Sequence, residues 1–253
     1  MDFHWVPVAL LVLFRSLGFF MTSPILARRE IPGQIKVAAA ITLTVILTPI
    51  APPGPIEALN TLPGTLLAVV SEALLGALLG LAASFPFVGI NLAGQLMGTQ
   101  MGIGLAGIMD PTSGNSGGII GRFLETTAIL IFLLSDGHHI LLRALSFSLR
   151  MHPPGTLGMG ASVANTLIDL SASIFVVGLE VGGAVLGVLF LAEAAMGFVA
   201  RTVPQMNIFI IGFPIKIALG LGTLALTLPL FVSTLDRLFA GMESDLITLL
   251  RGM

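Results

Sequence analysis

The chain has 253 residues, of which 55% are hydrophobic and 9% charged, with a formal net charge of -2 and no Cys. A soluble domain carries about a quarter charged residues, so this composition excludes an ordinary water-soluble globule and places the chain in lipid or inside a large apolar assembly. The small net charge does not point to nucleic acid or an acidic substrate, and the missing Cys excludes disulfide staples and thiolate-held metal or iron–sulfur groups.

The length fits one domain, residues 1–253, built from roughly six to eight helices. The opening MDFHWVPVALLVLFRSLGFF is apolar but has neither a basic n-region nor a small-residue cleavage site, so it is expected to stay as a first helix. Arg15 interrupts it, and an Arg at such a depth needs a partner or a wet cavity. Residues 23–36 form a polar connection, and Val37 to Ile50 is a second apolar run, short for a bilayer crossing of about 20 residues. APPGP at 51–55 reads as a rigid turn. From Leu62 to Met109 the only charge is Glu72, and Phe85-Pro86-Phe87 predicts a break between two helices packed back to back. Phe123 to Leu134 is a short apolar run, Asp136-Gly137-His138-His139 interrupts it, and a helix to about Arg150 follows. MHPPGTLGMG is a loop, and Ser162 to Ala200 a long apolar stretch with small-xxx-small faces at Gly178, Gly182, Gly183 and Gly187. After residues 201–216, a last apolar run reaches Val232, and the tail places Leu238, Met242, Leu246 and Leu249 at helical spacing. Some segments fall short of a bilayer and others overrun it, and Arg122, Arg143, Arg150 and Arg201 fit no single positive-inside alternation. The fold expected is all-α and membrane-associated, with helical hairpins that bury apolar faces against other subunits in place of a simple transmembrane bundle. The lack of Tyr and the single Trp, Trp5, agree, because an aromatic interfacial belt is nearly missing.

One stretch organises the chain: Gly94 to Pro111, GQLMGTQMGIGLAGIMDP, with no charge before Asp110. Gly94, Gly98 and Gly102 recur every four residues, which on a helix makes a smooth stripe for close backbone approach. Gly104 and Gly107 break that period, and Asp110-Pro111 reads as a turn. A packing helix that dissolves into a flexible apolar loop suits a moving part. A second anchor is Pro204-Gln205-Met206-Asn207: Pro204 ends a helix, Asn207 can cap the next, and Gln205 adds an amide fork that a plain connection does not need.

No constellation reads as catalytic. Gly114-Asn115-Ser116-Gly117 matches the GxSG of intramembrane serine proteases, with His138 and His139 downstream, but a Gly/Ser/Asn-rich loop generates such matches cheaply. His4, His138, His139 and His152 never show the i, i+4 spacing of a HExxH site, and no phosphate-binding loop or Asp-rich motif is present, so neither metal nor cofactor is expected. Glu72, Glu125, Glu180, Glu193, Arg201 and Lys216 are the charges isolated in apolar sequence. A small-molecule transporter would use such groups at the bilayer midplane. With no repeat between the halves, pairing among themselves or with partner chains is the favoured reading.

SPILARREIPGQIKVAAAITLT, the GQLMGTQMGIGLAGIMDP stretch, DGHHILLRALSFSL and above all RTVPQMNIFIIGFPIKI resemble the FliR family over nearly the whole chain. These are bacterial flagellar biosynthesis proteins, related to the T subunits of virulence type III secretion systems. The resemblance implies a non-enzymatic subunit of the type III protein export gate in the bacterial inner membrane at the flagellar basal body. There it would join copies of the P and Q subunits, with the B subunit, the large export-gate protein, unfolded export substrates and membrane lipid as further partners. It also implies that Leu105, Ala106, Gly107, Ile108 and Met109 form the pore plug, and that Pro204, Gln205, Met206, Asn207 and Phe209 form an assembly motif. Leu105 and Ile108 supply the bulk of that plug, so it is expected to be aliphatic and soft. Glu180-Val181-Gly182-Gly183 departs from the family pattern, so no kink is carried over there.

Overall fold

The computed structural model describes residues 5–28, 30–52, 54, 61–103, 118–156, 160–202 and 207–253, and among them every regular element is helical. Helix α1 is Trp5–Thr22, α2 is Gly33–Leu47 followed by a single 3-10 turn Thr48–Ile50, and α3 is Leu62–Met101. Then come α4, Gly118–Leu134, α5, Gly137–Met151, α6, Ala161–Thr202, and α7, Ile208–Gly252.

Two boundaries follow directly from local chemistry. Asp136 adopts φ 57, the left-handed region open to Asp and Asn, and so turns the chain between α4 and α5. Gly102 adopts φ 86 immediately after the last residue of α3, with its N–H bonded to the Thr99 carbonyl at 3.0 Å, a glycine helix terminus.

The break expected at Phe85-Pro86-Phe87 is not there: α3 runs unbroken for 40 residues with Pro86 inside it. A Pro in a helix interior removes one hydrogen bond and costs about 3 kcal/mol or more. Burial of Phe85, of Phe87 and of the small Ala82 and Ala83 in the preceding turn opposes that cost. Phe87 also meets Phe132 edge-on, with centroids 5.4 Å apart and planes at 87°. Helix α7 similarly continues through Pro214 and Pro229, joining the last apolar run and the amphipathic tail in one element.

The described residues gather into two compact units: Met1–Phe85 with Asp136–Ser171 and Phe239–Met253, and Pro86–Ser135 with Ala172–Leu238. In the first, α1 buries Leu11, Val12, Arg15 and Phe19 along one face. That face meets α3 backbone to backbone. A Cβ on Gly18 would overlap the Ala73 carbonyl oxygen, and one on Gly76 the Arg15 carbonyl oxygen, so only glycine permits the approach. The tail contributes Phe239, Met242, Leu246 and Leu249, all buried, while Leu238 is half-buried. In the second unit the core holds Ile90, Met97, Met101, Leu124, Phe132 and Leu189.

Among the described residues, five helices are long and apolar enough to cross a membrane, counting α2 with its 3-10 turn. Three of them run to 40, 42 and 45 residues. At 1.5 Å per residue these are roughly 60 Å or longer, about twice the hydrocarbon thickness of a bilayer. Their outer faces remain apolar, with Phe175, Phe190, Phe198 and Leu226 each at least 67% exposed. An apolar face on that scale calls for lipid or for neighbouring subunits.

Candidate functional site

The first unit holds a polar cluster in an otherwise apolar interior. Close approach of α1 and α3 at Gly18 and Gly76 brings Arg15 against Glu72. The guanidinium engages the carboxylate as a fork, Nε donating to Oε2 at 2.6 Å and Nη2 to Oε1 at 3.0 Å. Two further bonds hold it: Nη1 donates to Ser148 Oγ at 3.3 Å and Nη2 to the His152 carbonyl at 2.9 Å. Glu72 Oε1 additionally accepts the Gly155 N–H at 2.9 Å. Both side chains have essentially no exposure to solvent. Four segments of chain therefore meet at one ion pair: α1, α3, the end of α5 and the loop that follows it. The Arg that sequence alone says must find a partner or a cavity has found a partner.

The second unit contains the glycine stretch. Gly94 lies against α4 so closely that a Cβ there would overlap Gly121 Cα. Gly98 is different, since a Cβ would meet only Ile120 Cγ1 at 3.9 Å, an ordinary contact. At Gly102 a Cβ would run into the Phe213 ring, and one on Gly220 would run into the Met101 side chain. The last turn of α3 is thus seated on α7, Met101 in the notch left by Gly220 and Gly102 beneath Phe213. Gln100, one residue before Met101, donates to Glu193 Oε2 at 2.6 Å, and Lys216 Nζ stands 3.2 Å from Glu193 Oε1. Glu193 is half exposed, so this clamp contributes position more than stability.

Further back, Asn91 Nδ2 donates to Glu125 Oε2 at 2.7 Å, and Gln95 Nε2 donates to Asn91 Oδ1 at 2.6 Å. Glu180 stands 3.9 Å from Arg237 Nη2. The acidic residues that a transporter would keep for substrate thus have partners within the chain: Glu72, Glu125, Glu180 and Glu193 are each paired.

Leu105, Ala106, Gly107, Ile108 and Met109 lie outside the described residues, as do Ser116, Pro204, Gln205 and Met206 and the side chain of Phe209. Asn207 immediately precedes α7, and its carbonyl accepts the Ile210 N–H at 3.1 Å.

Sequence reading missed two features. The close contact of α1 with α3 rests on Gly18, Gly76 and Gly80, and the Gly76-xxx-Gly80 spacing was the available signal. Asp136, His138 and His139 bring one ligand-type atom each to within 4.8 Å of one another at the start of α5. A search for His residues four apart does not see this trio, because the left-handed Asp136 folds its carboxylate back toward His139, 3.4 Å away.

Residues 6–242 match bacterial export proteins, family 1. The chain is similar to the flagellar biosynthetic protein FliR of Pectobacterium carotovorum subsp. carotovorum, 31% identical over 252 residues, 97% of this chain and 94% of the relative. Against the protein of the same name from Bacillus subtilis (strain 168) identity is 33% over 218 residues, 85% of this chain and 83% of the relative. For that of Escherichia coli (strain K12) it is 28% over 236 residues, 93% of this chain and 90% of the relative. A family match across almost the whole chain, with relatives above 30% identity aligned over most of both lengths, makes this chain a member of the bacterial export proteins of family 1 and, within them, of the FliR family.

Proposed function

We propose that this chain is a structural and gating subunit of the flagellar type III protein export apparatus, acting without catalysis in the bacterial inner membrane at the flagellar basal body. Kinship with FliR proteins over nearly the whole chain is the observation that carries the reading. In this reading residues 1–253 act as one export-gate subunit. Its long apolar outer faces are covered by the P and Q subunits and by lipid, and the B subunit and the large export-gate protein are its further neighbours.

The gasket would be Leu105 to Met109. Apolar side chains at a constriction exclude water and ions by dewetting, and the loop must move aside for an unfolded polypeptide and then reseal. The geometry around it supports such a role. Gly94 holds α3 tightly to α4, Met101 and Gly102 seat its end on α7, and the helix stops at a left-handed glycine three residues before Leu105. Pro204, Gln205, Met206, Asn207 and Phe209 form an assembly motif in the same reading, their amides bonding across a subunit boundary.

The test replaces Leu105 to Ile108 by Gly or Ser and measures ion leak across the inner membrane. Leak should rise while the assembled complex is recovered at normal yield. Normal assembly with no added leak would remove the gasket from this loop.

A further inference from the structure

Helix α5 and the end of α7 enclose a groove of about 370 Å³ in the first unit. Arg143 and Arg150, seven residues apart on α5, line it together with Phe147 between them, and Glu243 and Ile247 come from α7. Both arginines are exposed, and neither makes a hydrogen bond or ion pair with the described residues. Their guanidinium donors are thus open to a ligand, unlike those of Arg15, which are held by Glu72, Ser148 and His152.

Seven residues separate the two Cα atoms by about 10 Å along the helix, well within the reach of two guanidiniums converging on one phosphate. The lining between them is largely apolar: Ala144 and Phe147, the latter 39% exposed, with Ile247 opposite and Ser146 as the one hydroxyl. Two guanidiniums less one carboxylate leave the groove a net charge of +1 (2 - 1), which complements a single phosphodiester. Basic grooves beside membrane helices bind anionic headgroups, and Arg stems lie readily along acyl chains while their heads face the interface.

We propose that this groove binds a monoanionic phospholipid. Arg143 and Arg150 hold its phosphate, Glu243 accepts hydrogen bonds from headgroup hydroxyls, and Phe147 and Ile247 support the upper acyl chain. An acidic peptide would use the arginines but not the apolar floor, so the lipid is the better match. The site would pin α5 at the level of the headgroups.

The experiment purifies the assembled, detergent-solubilised export complex and titrates it with phosphatidylglycerol or phosphatidylcholine, counting retained lipid on this chain by native mass spectrometry. Wild type should retain phosphatidylglycerol at least tenfold better than phosphatidylcholine, and Arg143→Gln with Arg150→Gln should abolish the difference. Arg143→Lys with Arg150→Lys keeps the charge and should retain part of it, which separates lost recognition from lost folding. Equal retention by wild type and the double Gln variant would overturn the proposal. So would equal retention of the two lipids by wild type, or displacement of phosphatidylglycerol by millimolar inorganic phosphate, which would leave a simple anion site. Loss of another subunit from the double Gln complex with lipid unchanged would assign the groove to an acidic protein partner and overturn it equally.

Discussion

Replacing Glu72 by Ala tests how the first unit is held together. The substitution leaves the Arg15 guanidinium buried with only Ser148 Oγ and the His152 carbonyl as acceptors, and it strips the Gly155 N–H of its acceptor. Removing one member of a buried pair costs about 3–5 kcal/mol, because the surviving charge stays desolvated. For a chain of this size that converts to a drop in melting temperature of roughly 6–20 °C. A double replacement, Arg15→Met with Glu72→Leu, removes both charges and fills similar volume. Ser148 Oγ still has the Leu145 carbonyl at 2.7 Å, so the residual defects are two neutral backbone groups, the Gly155 N–H and the His152 carbonyl, at about 1–3 kcal/mol each if they stay buried and cheaper than a stranded charge. The double variant should therefore melt above either single one. The assay heats the detergent-solubilised complex in steps and follows the soluble fraction of this chain. A Glu72→Ala protein that melts within about 2 °C of wild type, or a double variant less stable than both singles, would refute the reasoning.

Three other substitutions separate packing from freedom of movement. Gly94→Ala must push α4 away from α3 and should cost on the order of 1–3 kcal/mol, whereas Gly98→Ala has room and should gain about 0.5–1 kcal/mol in helix propensity, both read as shifts in the same heating assay. Gly102→Ala forces a side chain into left-handed backbone and toward the Phe213 ring, a penalty of at least about 1–2 kcal/mol; swimming-plate motility should fall while Gly98→Ala swims normally. Gln205→Ala with Asn207→Ala tests the proposed assembly motif and should lower the yield of co-purified partner subunits, since an amide bonded across a subunit boundary leaves its partner orphaned when removed, at about 1–3 kcal/mol. Unchanged yield would reduce that segment to a plain turn.

Composition places the chain in an apolar setting, the lengths of its apolar runs and the family resemblance make it all-α, and the need of Arg15 for a partner follows from the cost of an isolated charge. Which partner it takes was not legible, because Glu72 lies 57 residues away and pairing at that separation is decided by helix packing. The unbroken α3 was missed for a related reason. A propensity rule prices Pro86 locally, while the opposing contribution comes from Phe87 against Phe132, 45 residues on (132 - 87). Gly94, Gly98 and Gly102 look alike by spacing, but they meet a helix backbone, an ordinary side-chain contact and an aromatic ring respectively. Spacing identifies a face and leaves unstated what will stand opposite.

The distances in sequence within the Arg15 cluster have a consequence for synthesis. Arg15 leaves the ribosome 57 residues before Glu72, and Glu72 precedes Gly155 by a further 83. At about 5–20 residues per second, the first interval lasts roughly 3–11 s, and the second is longer still. Throughout the first, the guanidinium lacks the carboxylate that pairs with it in the folded chain, and an unpaired charge in an apolar segment is costly to bury. Arrival of α3 neutralises it, and arrival of the loop after α5 supplies the last donor. The ion pair therefore ties the two helices together in order of synthesis: neither charge is neutralised until both α1 and α3 exist.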